Sequence, residues 1–125
     1  MIFAGILAGG IGSRMNIVDM PKQFLPLMGK AIIIHTMEKF LLCNQIDYIY
    51  VGVHSGWMTH MNDLIEKHLP MFKDKIVLTE GGEDRNDTII NIISAIESNH
   101  TVTDEDIILT HDAVRPFITP RLCRT

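Results

Sequence analysis

The sequence predicts an α/β fold on a mostly parallel sheet, and three observations carry that reading. Short apolar runs alternate with longer amphipathic ones along the whole chain. The short runs are rich in β-branched and aromatic residues, whereas the longer ones repeat apolar residues at helical spacing. The segments that carry the candidate site residues each follow a predicted strand, as ligand-binding segments do at the carboxyl edge of a parallel sheet. Strands alternating with helices imply right-handed crossovers and a sheet covered on both faces.

Taken in order, residues 2–7 read as a first buried strand that runs into Gly9-Gly10. Residues 23–27 read as a short extended piece leading to a turn at Met28-Gly29-Lys30. Residues 32–42 are expected to be helical, with apolar side chains at 33, 34, 37, 40 and 41. Tyr48–Val53 reads as a second strand. A helix over 57–69 gathers Met58, Met61, Leu64, Ile65 and Leu69 on one face, and 75–79 forms a third strand. Residues 87–96 are predicted helical with Ile89, Ile92, Ile93 and Ile96 inward, and 106–110 is the fourth strand. The striped Met and Ile residues are core, not a cofactor box.

Composition narrows the function. With 125 residues and 46% hydrophobic content, the chain fits one domain with a sizeable core. A net charge of −4 with dispersed basic residues argues against a nucleic-acid surface. The apolar N-terminus has no basic segment before it and breaks at Gly9, which fits neither a leader nor a membrane span. Cys43 and Cys123 have no C-x-x-C spacing, and the six histidines form no H-E-x-x-H pattern, so neither set reads as a metal site. The cysteines suit a reducing cytoplasm.

The first strand leads into Leu7-Ala8-Gly9-Gly10-Ile11-Gly12-Ser13-Arg14-Met15. Glycines here let backbone N–H groups approach an anion with no Cβ in the way. A Walker A loop fails for want of a Lys-Ser/Thr pair, and a dinucleotide fingerprint fails because Met15 holds its last glycine position. What remains is a glycine loop with Arg14, and then Lys22 in Pro21-Lys22-Gln23-Phe24-Leu25. Two cations beside a backbone anion nest suit a triphosphate whose charge rises during transfer.

These blocks, with Gly29-Lys30, His35-Thr36, Gly81-Gly82-Glu83-Asp84-Arg85-Asn86-Asp87-Thr88 and His111-Asp112-Ala113-Val114-Arg115-Pro116-Phe117, resemble the sugar-alcohol-phosphate cytidylyltransferases. That family comprises the ribitol-5-phosphate and 2-C-methyl-D-erythritol-4-phosphate enzymes. The resemblance implies a Rossmann-like, mostly parallel sheet of the nucleotide-diphospho-sugar transferase type. It further implies that CTP and a polyol phosphate give a CDP-polyol and pyrophosphate, with Mg²⁺ on the phosphates. Arg14 and Lys22 match the family's catalytic cations. Leu7, Ala8, Gly9, Gly10 and Gly12 match the triphosphate loop. Gly82, Asp84, Arg85 and Thr88 fall in the block that contacts cytosine and ribose, and Asp112 matches the carboxylate beside the phosphates and their metal. From local sequence alone, Asp112 reads equally as a turn residue, Asp84 or Asp87 as a helix cap, and Thr88 as a helix-start hydroxyl. His35 and His111 read as structural.

The flavour of Leu7, of Trp57 in His54-Ser55-Gly56-Trp57 and of Asp84-Arg85-Asn86 favours D-ribitol 5-phosphate over the methylerythritol substrate. A ribitol enzyme implies cell-wall precursors such as teichoic acid; the other implies isoprenoid synthesis. Asn16 and Ala31 depart from the family's glycine and proline. Residues 1–125 are expected to be the CTP-binding N-terminal portion of one cytidylyltransferase domain, truncated, without the half that supplies polyol-phosphate contacts and a dimer-forming arm. Alternatives are a nucleotide-binding module without turnover, a transferase for UTP, GTP or ATP, and an oxidoreductase that binds NADH.

Overall fold

The computed structural model describes residues 1–8 and 21–113. Strand β1 (Ile2–Ala8) pairs in parallel with β4 (Tyr48–Val53) on one side and β6 (Ile107–Asp112) on the other. Strand β5 (Ile76–Glu80) pairs in parallel with β4, giving the order β5-β4-β1-β6. The two central strands are the most apolar, as a strand buried on both faces requires. The chain order reverses direction across β1, which makes the carboxyl end of β1 the switch point where this topology opens a crevice.

Helix α1 (Ile32–Leu41) buries Ile33, Ile34, Met37 and Phe40, a stripe at helical spacing. With Met61 and Ile65 of α2 (Met58–His68), it packs on Ala4, Ile6, Val51 and Val53. Each fully buried aliphatic side chain here contributes about 1.5–3 kcal/mol relative to exposure. Helix α3 (Arg85–Asn99) covers the opposite face, where Ile92 and Ile96 join Phe3 and Tyr50. Of the isoleucines expected inward, these two are fully buried, whereas Ile89 and Ile93 flank the stripe half-buried and Ile90 is exposed.

The expected extended piece at 23–27 differs from the structure. Lys22–Phe24 is a 3₁₀ turn, followed by a small antiparallel hairpin, β2 (Pro26–Leu27) and β3 (Lys30–Ala31). The turn lets consecutive residues Gln23 and Phe24 both be buried, which an extended piece with one buried face would not. Met28 and Gly29 close the hairpin with φ of 53° and 85°, the left-handed pair that a tight two-residue hairpin demands. The His35 ring donates from Nε2 to Leu27 O, and Lys30 pairs with Glu38 at 2.8 Å, tying the hairpin to α1. Cys43 is a buried residue of the larger core cluster. Among the described residues, no helix is long and apolar enough to cross a membrane.

Candidate functional site at the carboxyl edge of the sheet

Register brings the sequence-predicted residues together. Leu7 stands opposite Gly52 on one side and Asp112 on the other. Register partners in a parallel sheet share a face, so all three lie on the side covered by α3. Ala8, the last residue of β1, is buried, and its carbonyl accepts from Gln23 Nε2 at 3.1 Å. The segment after β6 is held in the same place: Ala113 N donates to Leu7 O at 3.2 Å, and Thr36 Oγ1 donates to Ala113 O at 3.0 Å. Gly81 N donates to Val53 O at 2.7 Å, so the loop after β5 is anchored on the neighbouring strand end.

That loop turns directly into α3. Asp84 is the N-cap, its Oδ1 accepting from Asp87 N at 2.8 Å, which satisfies one of the helix's orphan donors. The cap starts the helix two residues ahead of the expected 87. Thr88 is 2% exposed. Its hydroxyl accepts from Gly82 N and donates to Asp84 O, both at 3.0 Å, and thereby braces the loop against the first helical turn. Gly82 admits no side chain, since a Cβ there would lie 2.2 Å from Asp87 Cβ and 2.7 Å from the Asp87 carbonyl carbon. The helix N-terminus thus stands against backbone, with its positive dipole end at the loop.

Arg85, on the first turn of α3, forms an ion pair through Nη1 with Asp112 Oδ1, bridging the helix start and the end of β6. The two side chains are 55% and 30% exposed, so the pair adds little stability, on the order of 0–1 kcal/mol, and mainly orients both groups. Lys22 lies exposed on the 3₁₀ turn that Gln23 secures to the end of β1. Phe24, next in line, is buried in a ring cluster with Trp57 and His60, its centroid 5.1 Å from each. Gly9, Gly10, Gly12 and Arg14 lie outside the described residues.

The edge therefore combines Leu7 and Ala8 from the end of β1, Lys22 from the 3₁₀ turn, Gly82 and Asp84 from the loop after β5, Arg85 and Thr88 from the first turn of α3, and Asp112 from the end of β6. Sequence reading missed two residues that shape it. Gly52 is one: a Cβ there would come 2.5 Å from Thr88 Cγ2, so the glycine lets α3 press onto β4. A glycine inside a strand of otherwise β-favouring residues was the available signal. Gln23 is the other, a buried carboxamide beside Lys22 that single-residue motif reading passes over. His111 stands against the Phe40 ring at 5.4 Å, in line with its structural reading.

Comparison with known proteins agrees with the fold. Residues 2–124 match the family model described as IspD, 2-C-methyl-D-erythritol 4-phosphate cytidylyltransferase. A ribitol-5-phosphate cytidylyltransferase of Streptococcus pneumoniae serotype 2 is 56% identical over 122 residues, covering 98% of this chain and 52% of that protein. The chain spans about half the length of the curated relatives it matches. Among solved structures, the Francisella tularensis 2-C-methyl-D-erythritol 4-phosphate cytidylyltransferase superposes with a TM-score of 0.68 at 28% identity, over 95% of this chain and 47% of the other. The 4-diphosphocytidyl-2C-methyl-D-erythritol synthase of Anaerococcus prevotii superposes at 0.70 with 21% identity, over 97% and 47%, which supports the fold.

Proposed function

The chain belongs to the IspD family of cytidylyltransferases, and we propose that it forms the CTP-binding part of an enzyme that transfers CMP to a polyol phosphate, D-ribitol 5-phosphate first among them. The observation that carries the reading is the convergence of the Gly82–Asp84–Thr88 brace, Arg85 and Asp112 beside the end of β1. The choice of polyol is supported by 56% identity to a protein named for ribitol 5-phosphate, against 28% to one named for the methylerythritol substrate.

In this reading a phosphate oxygen of the polyol phosphate attacks the α-phosphorus of CTP. A new P–O bond forms, the bond to the β-phosphate oxygen breaks, and pyrophosphate leaves. Such transfers need positioning and positive charge more than covalent help from the protein. Arg14 and Lys22 take the catalytic role of neutralising the charge that moves onto pyrophosphate. Gly9, Gly10 and Gly12 hold the triphosphate by backbone N–H groups, with Leu7 and Ala8 at the strand end carrying that loop, and Gly82, Asp84, Arg85 and Thr88 frame the base and ribose. Because the Thr88 hydroxyl is engaged by Gly82 N and Asp84 O, its part is to shape the loop.

Asp112 suits Mg²⁺, a hard cation that commonly takes one or two carboxylates and completes its shell with phosphate oxygens and water. Bound there, the ion would neutralise phosphate charge; Asp112 would hold it, and Arg85 would orient Asp112. The proposal extends to a cytoplasmic setting and to a homodimer in longer relatives.

The test is pyrophosphate release from CTP and Mg²⁺, with ribitol 5-phosphate or 2-C-methyl-D-erythritol 4-phosphate as acceptor. Release with ribitol 5-phosphate, lost in Arg14→Ala, is the expected result. Release with the methylerythritol substrate alone would move the chain to the other branch, and absence of both release and CTP binding would overturn the reading. The second reading is a nucleotide-binding module without turnover, whose mark is CTP binding with no pyrophosphate.

A further inference from the structure

The turn that carries Lys22 is fastened on two sides, and one of the fasteners is polar. Phe24 supplies the apolar anchor, stacked on Trp57 and set edge-on to His60. Gln23 supplies the other: 5% exposed, it sends its carboxamide N–H to Ala8 O at 3.1 Å, across fifteen positions of sequence. Packing alone would be met by Leu or Met, and burying a carboxamide is unfavourable unless its donors find acceptors. A directional bond in that slot fixes more than volume. Its acceptor is the last carbonyl of β1, the peptide from which Gly9 and the glycine loop depart. Lys22 lies one residue before Gln23, in a turn closed by Phe24 N to Pro21 O and Leu25 N to Lys22 O at 3.0 and 3.1 Å.

We propose that Gln23 is a positioning residue, which sets the place of Lys22 relative to the root of the glycine loop and so lets that cation act on the triphosphate. The inference rests on the CTP-binding reading above. Gln23 itself touches no substrate; it acts through Lys22. Three substitutions separate bonding from packing. Gln23→Met fills the slot without a donor. Gln23→Asn keeps the amide but shortens it by one methylene. Gln23→Glu sets a carboxylate against a carbonyl, acceptor facing acceptor.

The experiment is a double-mutant cycle on the 125-residue chain, read as CTP·Mg²⁺ affinity by calorimetry, with Lys22→Met as the second arm. Gln23→Met is expected to weaken binding by about tenfold in the unaltered chain and by less than about twofold once Lys22 is replaced, because the two act as a unit. Gln23→Asn should fall in the same direction and serves if Gln23→Met does not fold. Ile96→Val, a core change at the far end of α3, controls for general loosening and is expected to leave the affinity unchanged. Additive losses at Gln23 and Lys22, or an equal loss in Ile96→Val, overturn the inference while wild-type binding stands. A wild-type chain silent toward CTP overturns the nucleotide reading itself, and this inference with it.

Discussion

The two ends of the sheet use charged residues in opposite ways. At the amino edge, the Met1 amine meets Asp106 at 2.7 Å, and Asp106 also accepts from Thr103 N at 2.8 Å. Asp47 accepts from Ile2 N at 2.8 Å and donates its own N–H to Ile2 O, while Ile107 N reaches Met1 O at 3.0 Å. His100 lies within ring-contact distance of Phe3, Tyr48 and Tyr50, closing that end with aromatic packing. These carboxylates are occupied with backbone and terminal donors, and the Asp106 side chain is only 11% exposed. At the carboxyl edge, Arg85 and Asp112 are 55% and 30% exposed, and the glycine at 82 leaves backbone unshielded by a side chain. One edge spends its charges on holding strands together; the other leaves a charged pair partly exposed beside the glycine loop after β5. Charge alone therefore does not mark the site. What marks it is charge beside glycine, at strand ends on the switch point.

Substitutions at the two edges should separate binding from stability. The largest effect is expected from Gly82→Ala, where the new Cβ meets Asp87 backbone and side chain at under 3 Å and must displace the helix start. It should lower stability by about 1–3 kcal/mol, measured by denaturant unfolding, and weaken CTP binding at least about tenfold. Gly52→Ala should lie behind it in the same series, because its contact at 2.5 Å is with a side-chain methyl of Thr88 and not with backbone. CTP binding retained in both would break the link drawn between the brace and the site.

The amino edge should respond the other way. The hydrogen bond between the Met1 amine and Asp106 holds the amine above its ordinary 8.0 and the acid below 3.8, with the Thr103 N–H adding to the second shift. A depressed acid stabilises the fold above its unfolded value and loses that contribution as pH falls through its lower folded value. A raised amine stabilises below its unfolded value and loses that contribution as pH rises through its higher folded one. The pair's stabilisation is thus present between 3.8 and 8.0 and fades on both sides. Asp106→Asn should flatten this dependence in thermal melts at a series of pH values and leave CTP affinity within about twofold. A matching loss of affinity would mean the two edges are not separate.

The fold was largely legible because its signals are local. Alternating runs placed β1, β4 and all three helices, and glycine and charge after strands placed the edge. What escaped depends on contacts between distant segments. The bend at Lys22–Phe24 arises because Gln23 finds the Ala8 carbonyl and Phe24 finds Trp57, and neither partner is visible in a window of sequence. Gly52 reads as a weak spot in a strand until α3 is laid against it. Thr88 reads as a base contact from the matching block or as a helix-start hydroxyl, and its two bonds to Gly82 and Asp84 place its side chain in the brace. For Asp84, the helix-cap reading is the one its bond to Asp87 N supports.

The most direct measurement is a backbone amide NMR titration of the chain with CTP and Mg²⁺. The account predicts shifts at Gly82, Asp84, Thr88 and Asp112 on the carboxyl edge, with Ile2, Asp47 and Thr103 on the amino edge unmoved. Shifts centred on the amino edge, or none at either, would contradict it.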